Sequence, residues 1–345
     1  MVDTYRREVI IYTVITMVLV NFSLNMMMMI YQHQTERTSA VSTSDSNIIN
    51  NNIPPRENAV IMEMKYYSGK RYLSFLLSLH PSEEDGVISK GIREGLFGPL
   101  HRYPSVDEMH AVCELFTDTC VDGKVFVEVG SAIGAVSVYM ASRGMKVYAY
   151  DPVLPNVQRL SESRCLNHAR PCNGSQECTH FSPSNFRVFW NAVGSAAGGS
   201  VHVESEPNNL AATARGGGSF RAEVGVVTID ETVIMADDDN GIEMMLLTCQ
   251  GNEYDALLGA SGFLNSGRLR NIVWRRHATR PEHDETALKI MGLLGDHGFT
   301  FFWLEASRAA GLTPPVRMSF EEMLERVVKL SMQGVHPNIL ASRGS

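Results

Sequence analysis

Residues Lys124–Gly134 read K-V-F-V-E-V-G-S-A-I-G, and the rest of the chain is best read outward from them. A short β-branched and aromatic run ends in Gly130, and Ser131-Ala132-Ile133-Gly134 leads into the helical-looking Ala135–Ser142, so the order is strand, glycine turn, helix. Glycine is needed where a chain turns tightly and a ligand approaches its backbone, because a side chain there would collide. The next strand-like run, K-V-Y-A-Y at Lys146–Tyr150, ends in Asp151-Pro152, about 20 residues beyond the turn. In a doubly wound α/β sheet two such strand ends are neighbours. Asp151 is then placed to accept hydrogen bonds from both ribose hydroxyls of a nucleoside.

The glycines themselves narrow the ligand. From Glu128 the pattern is E-x-G-x-x-x-G, without the G-x-G-x-x-G spacing that cradles a pyrophosphate. A nucleoside lacking phosphates fits better, and S-adenosylmethionine is one. Glu128 would hold its amino-acid end, directly or through water.

Five blocks in order extend the pattern: V-F-V-E-V-G-S-A-I-G; V-Y-A-Y-D-P with Asn156 and Leu160 in the helix that follows; F-R-V-F-W-N-A-V-G at Phe186–Gly194; Val227-Thr228-Ile229-Asp230; and M-L-L-T-C-Q-G-N-E-Y-D-A-L-L-G-A at Met245–Ala260. Over roughly Glu114–Glu305 this order resembles the FkbM-type methyltransferases. The resemblance implies the Rossmann-like doubly wound α/β sheet of class I methyltransferases, S-adenosylmethionine as cofactor, and O-methylation of a hydroxyl on a glycan or small molecule. It also implies that Glu128, Gly130, Ser131 and Gly134 in the first block and Asp151 after the second strand bind the cofactor. The Asn191-Ala192 turn is expected beside the adenine.

The second half departs from that pattern. Where the family usually has Asp-x-Glu-Gly, this chain has Thr248-Cys249-Gln250-Gly251, keeping the glycine and the later Glu253. Where the next strand often ends in an acid, Asn271–Trp274 runs into Arg275, Arg276 and His277. Methyl transfer from a sulfonium is an in-line displacement, so alignment does much of the work and a base is needed only where the nucleophile carries a proton. Gln250, Glu253 and His277 are the catalytic candidates by position, although Glu253 equally suits a helix-capping acid. With both usual carboxylates neutral, a catalytically degenerate fold is one alternative. Another is a lumenal type II glycosyltransferase using Asp237 and Asp239 of the Asp237-Asp238-Asp239 run as a metal site. For the methyltransferase no metal is expected.

The flanks set the topology. Val9–Tyr31 holds 23 residues without Asp, Glu, Lys or Arg, and as a helix would span roughly 34 Å. We read residues 1–8 as a cytoplasmic tail, 9–31 as a transmembrane signal anchor and 32–58 as a disordered stem. Residues 59–110 follow as an extension placed for a lid over the substrate, then 111–310 as the methyltransferase domain and 311–345 as a C-terminal helix and tail. Arg6 and Arg7 precede the span while only Arg37 closely follows it, which favours a single-pass type II protein of the endoplasmic reticulum or Golgi. An oxidising lumen would make Cys113 with Cys120, and two of Cys165, Cys172 and Cys178, disulfide candidates, and Asn173-Gly174-Ser175 a glycan acceptor. Ser319-Phe320-Glu321-Glu322 is a capping box opening an amphipathic helix. The net charge of −8 argues against a nucleic-acid partner.

Overall fold

The computed structural model describes residues 59–68, 71–81, 83–86, 88–93, 106–115, 120, 122–168, 183–206, 209–213, 221–233, 241–275, 281–304, 316–331 and 338–343. The chain divides into Met1–Ser46 and Asn47–Ser345, and every described residue belongs to the second unit. The expected span 9–31, the stem, the Asn173 acceptor, Cys172, Cys178, Asp237–Asp239, Arg276 and His277 lie outside the described residues. Among those described, no helix is long and apolar enough to cross a membrane.

The elements open with β1 (Val60–Ser68), β2 (Arg71–Leu79), α1 (Ile88–Arg93) and α2 (Val106–Leu115). The first half of the sheet follows: β3 (Val125–Val129), α3 (Ala135–Ser142), β4 (Lys146–Tyr150), α4 (Leu154–His168) and β5 (Phe186–Phe189). An insertion then carries β6 (Ala192–Val193), β7 (Ser200–Glu206), β8 (Asn209–Thr213), β9 (Arg221–Val227) and the short α5 (Ile229–Thr232). The second half comprises β10 (Ile242–Leu247), α6 (Glu253–Leu258), α7 (Ser261–Asn265), β11 (Leu269–Arg275), α8 (Pro281–Asp296), β12 (Thr300–Leu304), β13 (Val316–Met318), α9 (Phe320–Ser331) and β14 (Asn338–Ser342).

Eight strands form one sheet in the order β13-β12-β14-β11-β10-β3-β4-β5. From β5 across to β11 the pairs are parallel, and β14 lies antiparallel between β11 and β12. The chain leaves β3 for β4 and β5, then returns to β10 on the other side of β3. This is the expected Rossmann-like doubly wound sheet, and its topological switch point lies between β3 and β10, where such sheets bind ligands beyond their carboxyl ends.

Alternation along the strands divides the core in two. Phe126, Val147, Ala149, Met244, Leu246, Val273 and Leu340 pack with α3 and α4, while Val127, Val129, Tyr148, Tyr150, Met245, Leu247, Ile272 and Trp274 pack with residues of α6 to α9. With both faces covered, these strands are mostly apolar, as expected of a parallel sheet, with Glu128 and Glu243 the acids within β3 and β10.

Two expectations change. Asn338–Ser342 had been read as tail, yet β14 pairs with both β11 and β12, so the folded unit extends past residue 310. N-I-L-A-S is too short to show a period of its own. The 59–110 extension is also no free lid in its first part. β1 and β2 form an antiparallel hairpin, and Leu73, Phe75, Leu77 and Leu79 of β2 are buried in the same core as Tyr139, Met140 and Leu160. Side chains of α4 clamp the β2 backbone: Leu76 N–H donates to Asn167 Oδ1 at 2.8 Å, Asn167 Nδ2 donates back to Leu76 O at 2.7 Å, and Ser78 N–H donates to Ser163 Oγ at 2.8 Å.

Other expectations are met. Cys113 and Cys120 form a disulfide across α2's end, with Cα atoms 5.2 Å apart, while Cys165 is free. In the capping box Glu322 N–H donates to Ser319 Oγ at 3.1 Å, and Ser319 N–H donates to Glu322 Oε2 at 2.8 Å. Met323 and Val327 of α9 are buried against the sheet.

Candidate active site

The carboxyl ends of β5, β4, β3 and β10 form one hydrogen-bonded rim. Asp151 N–H donates to Phe189 O at 3.2 Å, Gly130 N–H and Ser131 N–H both donate to Tyr150 O at 2.9 Å, and Thr248 N–H donates to Val129 O at 2.9 Å. The sequence-chosen residues Glu128, Gly130, Ser131, Gly134, Asp151, Gln250 and Glu253 therefore sit in or next to one row across the switch point. Asn191 and Ala192 adjoin it at the end of β5.

The turn after β3 closes on itself. Ala132 N–H donates to Asp151 Oδ2 at 2.7 Å, and Gly134 N–H donates to Ser131 O at 2.8 Å. With Gly130 and Ser131 bound to Tyr150, four amides of the turn are committed to the protein. Gly130 has φ +83°, and a Cβ there would lie 2.6 Å from the Thr248 carbonyl oxygen. Thr248 closes the seam from the other side, its Oγ1 donating to Gly130 O at 2.8 Å. Sequence reading saw Thr248 only as a lost acid; that a hydroxyl can donate where a carboxylate cannot was the signal available.

Asp151 is buried, and its carboxylate does more than the sequence required. Besides Ala132, Val153 N–H donates to Oδ1 at 2.9 Å and Asn156 Nδ2 donates to Oδ1 at 3.3 Å. Three of roughly four acceptor positions are used, so Asp151 ties the β4 end to the glycine turn and keeps capacity for about one further donor. Burial pushes its pKa up to about 6, against the pull of those donors. Glu128 is directed towards α3, where Ser137 Oγ donates to its Oε2. Burial first, with Asp151 adding to it, pushes Glu128 up to about 8 despite the Ser137 bonds, so it is mostly neutral at pH 7.

Three of the described side-chain atoms buried without partners lie on this rim. Ser131 Oγ, Asn191 Oδ1 and Glu253 Oε1 have no hydrogen-bond partner, although Asn191 Nδ2 donates to Gly225 O at 3.1 Å. An unsatisfied buried polar atom costs about 1–3 kcal/mol, and three along one rim call for a functional explanation. Backbone strain gathers here too: Ala132 (φ 48°) and Gln250 (φ 55°) are the non-glycine residues with positive φ among those described. They sit in the turns after β3 and β10, and strain of this kind clusters at functional sites.

Of the catalytic candidates, Glu253 and Gln250 are described. Glu253 opens α6 without capping it: its Oε2 accepts from Gly251 N–H of the preceding turn at 2.8 Å. Burial pushes its pKa up to about 7, opposed by its backbone donors. The neighbouring Cys249 thiol is pushed well up, by burial and then by Glu253. Among the described residues no cluster of His, Cys, Asp and Glu is arranged to hold a metal ion.

No protein-family model matches this sequence, and no curated protein matches it. Among solved structures the chain is similar to a precorrin-6y C5,15-methyltransferase from Geobacter metallireducens GS-15, at 11% identity over 68% of this chain and 87% of that one, TM-score 0.34. It is similar also to magnesium protoporphyrin IX methyltransferase from Synechocystis PCC 6803 with bound SAM, at 13% identity, 74% and 83% coverage and TM-score 0.33. A SAM-dependent methyltransferase from Agrobacterium tumefaciens matches at 10% identity, 90% and 78% coverage and TM-score 0.35. These likenesses are too distant to assign a function.

Proposed function

We propose that the chain is an S-adenosylmethionine-dependent methyltransferase of the FkbM type, acting on a hydroxyl of a glycan or small molecule. The observation that carries this reading is the closed glycine turn beside Asp151. A pyrophosphate-binding loop offers free amides to its ligand; here Gly130, Ser131, Ala132 and Gly134 have none to offer. A nucleoside without phosphates fits that chemistry, since these four amides leave nothing to hold a diphosphate. The unpartnered Ser131 Oγ and Asn191 Oδ1 suit a ligand rich in hydroxyl, amino and adenine groups.

When bound, the sulfonium supplies the methyl group. Asp151 accepts from a ribose hydroxyl with its remaining capacity while holding the turn that shapes the site. Glu253, whose pKa of about 7 is matched to neutral working conditions, takes the acceptor hydroxyl's proton on Oε1 while Gly251 holds Oε2. The Cys113–Cys120 disulfide supports an oxidising compartment, in keeping with a lumenal body on the 9–31 anchor.

Calorimetric titration of the full chain in detergent tests the reading. S-adenosylmethionine should bind and a UDP-sugar should not. Asp151→Ala removes a charge-assisted bond and loosens the turn, so affinity should fall at least about tenfold in a folded protein. Heat from the UDP-sugar alone would move the chain to the glycosyltransferases.

A further inference from the structure

We propose that His80, at the end of the N-terminal hairpin, is a positioning residue for Asp151, so that the hairpin is part of the cofactor site. This rests on the methyltransferase reading for its ligand, though not for its geometry.

The contacts form a directional chain. Arg159 Nε lies 3.5 Å from His80 Nδ1, and His80 Nε2 lies 3.3 Å from Asn156 Oδ1. Asn156 Nδ2 then lies 3.3 Å from Asp151 Oδ1. An amide oxygen can only accept, so with Asn156 Oδ1 against Nε2 the imidazole carries a proton there, while Nδ1 faces both Arg159 Nε and, at 3.6 Å, Glu84 Oε2. Nε2–H therefore donates to Asn156 Oδ1, which turns the amide so that its NH₂ meets the carboxylate. The Asp151 carboxylate, which can only accept, selects the same end of the amide, so His80 and Asp151 hold Asn156 from its two ends.

The surroundings hold that state. His80, Asn156 and Arg159 are all buried. The charged groups facing the ring are Arg159 from α4 and Asp85 and Glu84 from the following turn, and burial with Arg159 outweighs the two acids to keep the imidazole neutral near pH 7. The ring cannot readily withdraw: Ser89 Oγ accepts from His80 N–H at 3.0 Å, and the Asn167 and Ser163 clamps hold β2 on α4. Asp151 in turn holds the Ala132 amide of the strained turn, four side chains from Arg159.

Two measurements on the full chain test the proposal. The first needs no cofactor: amide hydrogen exchange at Ala132 and Val153, the two backbone donors to Asp151. His80→Ala should speed their exchange roughly three- to tenfold, the size of one neutral hydrogen bond, whereas His80→Gln, which can still donate to Asn156 Oδ1, should restore most of the protection. In an Asp151→Ala background, His80→Ala should add nothing at Ala132. The second is calorimetric affinity for S-adenosylmethionine, expected to weaken by a similar factor in His80→Ala, again without further loss beside Asp151→Ala. A merely structural histidine would give additive losses and no rescue by glutamine, and either result overturns the proposal. If wild type binds no S-adenosylmethionine, the methyltransferase reading fails, while the exchange data still decide the relay.

Discussion

The turns after β3 and β10 face each other across the switch point and each carries one strained non-glycine residue, but they are finished differently. After β3, Ala132's amide is held by Asp151, and its neighbours' amides by Tyr150 and Ser131. After β10, Gln250 is followed by Gly251 and by Glu253, which holds the turn with one carboxylate oxygen and leaves the other buried without a partner. A turn with four of its amides engaged defines a shape. One that keeps an unengaged, near-neutral carboxyl has chemistry in reserve, and the two departures from the FkbM-type pattern, Thr248 and Gln250, fall on that side.

Glu253→Gln is the strongest way to break this contrast. Glutamine keeps an acceptor for Gly251 N–H but cannot take up a proton, so the turn contact survives and the base does not. Turnover should fall by about a hundredfold or more. Wild-type turnover should rise with pH through about 7 as Glu253 ionises, and the variant should lack that rise. Stability should move oppositely. Because the folded pKa is raised above the ordinary 4.5, the contribution of Glu253 is full below that value and is lost as pH rises towards about 7, so the variant gains on wild type across this window. Full activity in Glu253→Gln would reduce the residue to a brace of the turn and shift attention to His277.

Gly130→Ala tests whether the β3 turn is as closed as it looks. Its φ of +83° puts alanine in the left-handed region, and the new Cβ meets Thr248's carbonyl carbon at 2.8 Å as well as its oxygen. Left-handed strain and overpacking together should cost about 3 kcal/mol. Gly123→Ala is the control, with φ +77° and nothing within 4 Å, and should cost only the strain, about 1 kcal/mol. Equal losses in denaturant unfolding would mean that the approach of β10 contributes nothing.

What could be read from sequence follows from the range of the interactions. The β3–α3–β4 unit was legible because its signals are local: apolar runs, glycines at positive φ and an acid at a fixed distance. The capping box was legible for the same reason. Strand β14 was not, because its place is set by pairing with β11 and β12 across long separations. Nor was the true duty of Asp151. Sequence placed it at the right strand end, but only tertiary packing brings Ala132, Val153 and Asn156 onto its carboxylate, and nothing around His80 announces that its ring meets Asn156 76 residues away.

The smallest effect is expected from relieving strain in the two turns separately. Gln250→Gly removes a left-handed side-chain penalty of roughly 1–2 kcal/mol, while glycine's added freedom in the unfolded chain returns about 0.5–1 kcal/mol of it. The net gain should be under about 1 kcal/mol, at most about 2 °C in melting temperature. Ala132→Gly removes the same kind of strain and should gain a similar amount. The functional consequences should separate. At Ala132 the amide bond to Asp151 already fixes the backbone, so glycine there should leave cofactor affinity nearly unchanged. At Gln250 the turn is held to the Glu253 carboxyl that would take the proton, so glycine there should lower turnover more than it changes affinity. If instead Ala132→Gly costs affinity and Gln250→Gly costs nothing, the strained residue that matters lies in the binding turn, and the division of labour across the switch point is reversed.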